Sequence, residues 1–205
     1  MKKRKNKTSS FRKVLIIVLV IGTIIGLFYY SNRKKLQVIT IISSIDEYGY
    51  YLESNATDVY KKYYDELNSL LDKKEIDEKE YASLISKLFV IDFYTLNNKI
   101  TNKNIGGVQF IHSNLKDKFI DESSNTIYKY VKSNLYGNRK QKLPEVKTVD
   151  VEKIDEIEYK NGDYKDDTGY EVVVDVKYVR NYDYPETVRL KLINENDKLV
   201  IVEIN

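Results

Sequence analysis

His112 is the single histidine of the 205-residue chain, so it is the one side chain whose ordinary pKa suits proton transfer near neutrality. It follows the apolar pair Phe110 and Ile111 and precedes Ser113, which invites a nucleophile-and-base reading. Neighbours on one strand point to opposite faces, however, so a strand here would set the pair poorly for a relay and leave His112 as a capping or solvated residue. His112 remains the one candidate site residue. Asp163, Asp166 and Asp167 in KNGDYKDDTG supply the hard oxygens that Ca²⁺ takes, but not the alternating acids, central glycine and terminal Glu of an EF-hand loop. With Asn161 and Gly162 beside them, a hairpin turn is the expectation. Gly106 and Gly107 lack the companions of a phosphate loop and read as a turn.

Tyrosine is the other unusual feature, nineteen in all. Tyr48, Tyr50, Tyr51, Tyr60, Tyr63 and Tyr64 cluster early, and Tyr178, Tyr182 and Tyr184 share one stretch. A tyrosine ring brings large contact area at low entropic cost. Tyr178, Tyr182 and Tyr184 therefore stand as an interaction surface, with the turn Tyr182 to Pro185 expected to be exposed. The chain contains no cysteine, which removes a lipobox, a thiol nucleophile, a thiolate zinc site and any redox pair. We expect no catalytic set, no cofactor and no metal.

The element that places these residues in the cell is VLIIVLVIGTIIGLFYY, 14–30, an uncharged run ending on two tyrosines at the position of an interfacial belt. Seventeen residues lie at the short end of a spanning helix, so the expectation is a transmembrane anchor embedded in the lipid bilayer through 14–30. A cleaved signal peptide shares the basic start and apolar run, but YYSNRKK, 29–35, has no small-x-small cleavage site. Seven basic residues precede the run (Lys2, Lys3, Arg4, Lys5, Lys7, Arg12, Lys13) and three follow it closely (Arg33, Lys34, Lys35). That bias orients the N-terminus to the cytoplasm and the rest of the chain to the extracytoplasmic side of a cell membrane. Residues 36–205 hold 24 basic and 31 acidic side chains, a net charge of −7. An acidic domain argues against nucleic acid as a partner. The expected organisation is a basic tail at 1–13, the anchor at 14–30, a connector at 31–43 and one folded domain at 44–205.

Within that domain the hydrophobic period changes once. Residues 36–53 are apolar and fit either a helix prolonging the anchor or a strand. After Thr57, the spacing of Tyr60, Tyr63, Tyr64, Leu67, Leu70 and Leu71 predicts an amphipathic helix. Asp77 with Glu80 opens a second, carrying Tyr81, Leu84, Ile85, Leu88, Phe89 and Leu96 and ending near Asn97 and Asn98. IGGVQFIH, 105–112, reads as a turn feeding a short strand. Leu115, Phe119, Ile120, Ile127, Tyr130, Val131 and Leu135 return to helical spacing, split near Ser123 and Ser124, up to Gly137. Beyond Pro144 the period is two: Tyr170, Val172, Val174, Val176 and Tyr178 alternate with Glu171 and its neighbours, Val188, Leu190 and Leu192 repeat the pattern, and 199–204 follows a turn at 194–197. With a strand or two in 146–160, this is an antiparallel meander covered by helices, an α+β domain.

The order helices, short strand, helix, then long antiparallel strands resembles the nuclear-transport-factor-2-like fold, a curved sheet wrapped around helices, with the cystatin-like fold as a related layout. A short basic tail, one span and such a domain resemble in layout the bitopic scaffold subunit of type IV secretion and conjugation machines. That resemblance implies a non-catalytic module that binds envelope proteins or itself. Two other readings stay open: a small-ligand domain with an apolar pocket lined by Tyr170, Val172 and Phe110, and an envelope hydrolase in which two or more of His112, Asp92, Asp117 and Asp175 converge in a cleft.

Overall fold

The computed structural model describes residues 7–31, 35–162 and 164–205, and the chain separates into two compact units, Met1–Leu36 and Gln37–Asn205. Lys2, Lys3, Arg4, Lys5, Arg33, Lys34 and Asp163 lie outside the described residues, as does the side chain of Tyr29.

The first unit contains helix α1, Lys7–Ser31. Its large apolar side chains from Val14 to Phe28 are each half or more exposed. Among the described residues no helix is long and apolar enough to cross a membrane. The unbroken run of described side chains in α1 is 12–28, seventeen residues that begin with Arg12 and Lys13.

The second unit is α+β. Residues 36–53 resolve as a hairpin, β1 Ile41–Ile45 against β2 Tyr50–Glu53, so β1 begins inside the stretch expected to be a connector. Thr57 caps α2, Asp58–Leu71, by accepting a hydrogen bond from the Tyr60 amide, and the helix buries Tyr60, Tyr64, Leu67, Leu70 and Leu71 as its spacing requires. The Asp77 carboxylate caps α3, Glu78–Tyr94, accepting from the Lys79 and Glu80 amides at 3.0 Å each. α3 stops at Tyr94, short of the expected Asn97. Pro144 O accepts from the Leu96 and Asn97 amides, and Thr95 Oγ1 accepts from Val146 N, so the chain leaves the helix to start the sheet.

Two expectations fail between 105 and 137. Instead of a strand, Val108–Phe110 form a 3₁₀ turn, and among the described residues the sheet-like link here is one parallel bridge from Ile111 to Ile201. Gly107 at φ 77° breaks the extended path, a conformation open to glycine. Helix α4 spans Lys116–Asn125 and ends there, so the spacing of Ile127, Tyr130, Val131 and Leu135 is not helical in fact. Tyr128 and Val131 are buried, whereas Tyr130 is 75% exposed. Long-range bonds hold this stretch as a loop: Asn134 N donates to Ile100 O, and the Arg139 guanidinium donates to the carbonyls of Asn97, Lys99 and Lys132.

The sheet is an antiparallel meander in the order β3 Val146–Asn161, β4 Tyr164–Tyr178, β5 Thr187–Glu195 and β6 Lys198–Ile204. The expected strand or two at 146–160 is one long strand, whose register slips three times against β4. The face bearing Val172, Val174, Val176, Val188, Leu190 and Leu192 packs under α3 in the main core. The opposite face carries the ion pairs Arg189–Glu171 at 2.6 Å and Lys191–Glu203 at 2.7 Å, with a small cluster of Tyr159, Ile193 and Val200.

Candidate functional site

Because the strand at 105–112 does not form, His112 and Ser113 are not on opposite faces. Both meet Glu195 at the end of β5. The Ser113 hydroxyl donates to Glu195 Oε1, the Ser113 amide donates to Glu195 Oε2 at 3.2 Å, and His112 Nε2 lies 3.5 Å from Oε1. His112 Nδ1 accepts from the Asn114 amide at 3.2 Å, and the His112 amide donates to Ile201 O at 3.0 Å. The order is hydroxyl, carboxylate, imidazole. A nucleophilic serine needs a base to take its proton and a third group to orient that base, with the imidazole in the middle. Here the carboxylate holds the middle and receives the hydroxyl itself, which fixes the 112–115 turn to the sheet.

Burial raises the Glu195 carboxyl, but the Ser113 hydroxyl and amide and the nearby His112 and Lys116 outweigh it, so the group titrates below the ordinary carboxylate value. A carboxyl lowered in the folded state contributes stability that is present above the unfolded value and lost as pH falls through the folded one. The Glu195→Gln variant is therefore expected to be less stable than the parent at neutral pH, with the gap narrowing as pH falls below the ordinary carboxylate value. Urea midpoints measured across that pH range check this, and a gap that does not narrow in acid would contradict it. Beside this cluster, Lys198 Nζ sits 4.1 Å over the Tyr50 ring, and burial with the Lys116 charge, opposed by Glu195, lowers its ammonium to about 8. The Tyr50 hydroxyl bonds Tyr81 and Leu199 O beneath it.

A second polar site lies where α3, β2 and the 95–107 loop meet. Asp92 interrupts the apolar run of α3, and Lys99, 1% exposed, places Nζ 2.5 Å from its Oδ1, while Gly107 N donates to its Oδ2 at 2.7 Å. The Gln109 side chain donates to Tyr51 O and accepts from Tyr51 N, occupying the outer edge of β2 as a neighbouring strand would, and it also donates to the Tyr60 hydroxyl. Glu53, Asn55, Tyr60, Asp92, Asn98 and Gln109 line a cavity of ≈ 10 Å³, about the room one water needs. Burial raises the Glu53 carboxyl, Asp92 raises it further, and Lys99 opposes both. The Oδ1 atoms of Asn55 and Asn98 are buried with no hydrogen-bond partner among the described residues. The site is rich in acceptors, and Lys99 already supplies the cation that its Asp92 carboxylate takes.

The remaining candidates do not join these clusters. Asp175 accepts from the Thr187 hydroxyl at 3.2 Å, and Asp117 is exposed in the first turn of α4. Tyr170, Val172 and Phe110 are buried in the main core with packed neighbours, and a groove of ≈ 190 Å³ runs instead between α4 and β6, lined by Ile111, Leu115, Phe119 and Ile201. Asp166 accepts from Thr168 and from the Asn194 amide of β5 at 2.7 Å, and Asp167 pairs with Lys165, so these two acids are spent on the sheet and its hairpin. The turn tyrosines are less exposed than expected. Tyr178 and Tyr184 pack ring to ring at 6.1 Å against the core edge, and the Tyr178 hydroxyl donates to Pro185 O, leaving Tyr182 half-buried.

The residues missed by the sequence reading are Lys99, Gln109 and Glu195. A lone acid inside LFVIDFY marks Asp92 as needing a buried partner, yet nothing in the polar stretch NNKI singles out Lys99. No family model, no curated protein and no solved structure matches this chain.

Proposed function

We propose that the chain is a membrane-anchored, extracytoplasmic contact module of a bacterial envelope, a non-catalytic scaffold or subunit that works by binding other envelope proteins or itself. The observation that carries this reading is that the side chains best suited to chemistry spend their bonds on the fold: Ser113 and His112 on Glu195, Asp92 on Lys99 and Gly107. Function then falls to the surface. The uncharged run 14–30, its exposed apolar side chains and the excess of upstream basic residues support an anchor with a cytoplasmic N-terminus. The order α2, α3, α4, then β3 to β6, which follows the hairpin β1–β2 and has a 3₁₀ turn in place of the short strand, supports a nuclear-transport-factor-2-like or cystatin-like domain, and with the anchor supports the likeness in layout to the bitopic scaffold of type IV secretion and conjugation machines.

Photocrosslinking in living cells tests the contact role. A benzophenone amino acid at Tyr182 or at Tyr130 is expected to yield discrete protein adducts, while the same probe at Tyr60, 4% exposed, yields none. A chain that stays in the membrane fraction and gives no adduct from either surface position would sink the contact reading.

A further inference from the structure

The second unit carries an apolar surface that its own fold does not use. Val38, Ile41 and Ile42 are 72%, 62% and 55% exposed. The register of β1 slips between Ile41 and Ser43, with Ile42 the extra residue, so the strand presents both isoleucines outward where plain alternation would turn one inward. Gln37 N donates to Leu135 O at 2.7 Å, which brings the residue before Val38 to Leu135, and Leu135 and its neighbour Tyr136 are themselves 39% and 51% exposed. Exposed apolar side chains grouped in this way mark a surface that meets a partner or a membrane.

The sequence argues for the membrane. Val38 follows the uncharged run by eight residues, a tether of at most about 29 Å at full extension. The tether itself contains Arg33, Lys34 and Lys35, cations suited to anionic headgroups. Aliphatic side chains that insert shallowly, a neighbouring tyrosine and flanking lysines are the combination that binds a bilayer interface. We propose that the strip of Val38, Ile41 and Ile42, with Leu135 and Tyr136, seats in the headgroup region of the bilayer, so that the domain rests on the membrane surface. This inference rests on the anchor reading. It assigns the occupant of the strip as lipid, in preference to a second copy or another protein.

The absence of native cysteine makes the test direct. Single variants Ile17→Cys, Ile42→Cys, Val38→Cys and Asp167→Cys carry an environment-sensitive fluorophore in the full-length chain, reconstituted in phosphatidylethanolamine and phosphatidylglycerol vesicles. Nitroxide is carried either near the lipid headgroup or deep on the acyl chain. The probes at Val38 and Ile42 are expected to emit to the blue of the probe at Asp167 and to be quenched severalfold more by the shallow nitroxide. The probe at Ile17 should respond to the deep one. Quenching at Ile17 with Val38 and Ile42 behaving like Asp167 would overturn the inference and leave the anchor standing. Protection of Val38 and Ile42 from aqueous iodide without lipid quenching would also overturn it, by showing that protein covers the strip. No quenching at Ile17 would remove the anchor and this inference together.

Discussion

Replacing Lys99 with methionine is expected to destabilise the domain by about 3 kcal/mol, among the largest effects of any single substitution that keeps the core volume. Lys99 is 1% exposed, and its ammonium at 2.5 Å neutralises a carboxylate set within the most apolar helix of the second unit. Methionine fills much the same space, so packing changes little and the loss is electrostatic. Removing one partner of a buried pair strands the other charge, at about 3–5 kcal/mol. The low end applies because the Asp92 side chain is 20% exposed and water screens part of its charge. The double variant Asp92→Asn with Lys99→Met is expected to recover part of the loss, since no charge is then left alone. Urea unfolding of the full-length chain, followed by far-ultraviolet circular dichroism, measures both. A Lys99→Met variant within about 0.5 kcal/mol of the parent, the range of ordinary surface changes, would show that the pair does not hold the loop.

Gly106→Ala is expected to cost as much by a different route. A Cβ at Gly106 would lie 2.2 Å from the Asp92 carbonyl oxygen and 2.8 Å from Lys99 Nζ. The carbonyl is helix backbone and cannot step aside, so the 104–107 loop must lift. That movement breaks the bond from Gly106 N to the Tyr128 hydroxyl and the bond from Gly107 N to Asp92. The hydroxyl of Tyr128 in turn donates to Phe93 O, so the displacement loosens the 126–131 loop as well. Together these amount to about 3 kcal/mol, a melting shift of about 6–12 °C for a domain of this size. Gly162→Ala is the control. It has φ 59° but open space around it, so only the left-handed penalty of about 1–2 kcal/mol applies. Equal melting shifts for the two variants would mean that close backbone approach is not what Gly106 provides.

The parts of this fold legible in sequence are those whose signal is local and repeated. α2 and α3 follow from a 3.6-residue apolar spacing behind the caps Thr57 and Asp77, and the meander follows from alternation in Tyr170–Tyr178 and Val188–Leu192. The spacing at Ile127–Leu135 was just as regular and misleads. There, bonds from residues thirty or more positions away, at Asn97, Lys99 and Ile100, fix a loop against the local preference. The same competition hides the two polar clusters. His112 and Ser113 read as a strand pair until Gly107 and the bond to Ile201 put them at the cap and the start of a second 3₁₀ turn, Ser113–Leu115, where both find Glu195, more than eighty residues away. Neither cluster announces its partner, because an acid or a lysine in a polar stretch looks the same whether it is solvated or buried.

The proposed arrangement is an anchored domain that makes its contacts outside the cytoplasm, and cysteine accessibility in intact cells measures that directly. The chain carrying the single change Asp167→Cys, produced in a bacterial host, is treated with a membrane-impermeant maleimide before and after lysis. The side chain of Asp167 is 70% exposed, so access depends on which side of the membrane it occupies. Labelling in intact cells of a chain that fractionates with membranes is the expected result. Labelling only after lysis would place the domain in the cytoplasm, and a chain that leaves the membrane fraction would remove the anchor; either result would contradict the proposed arrangement.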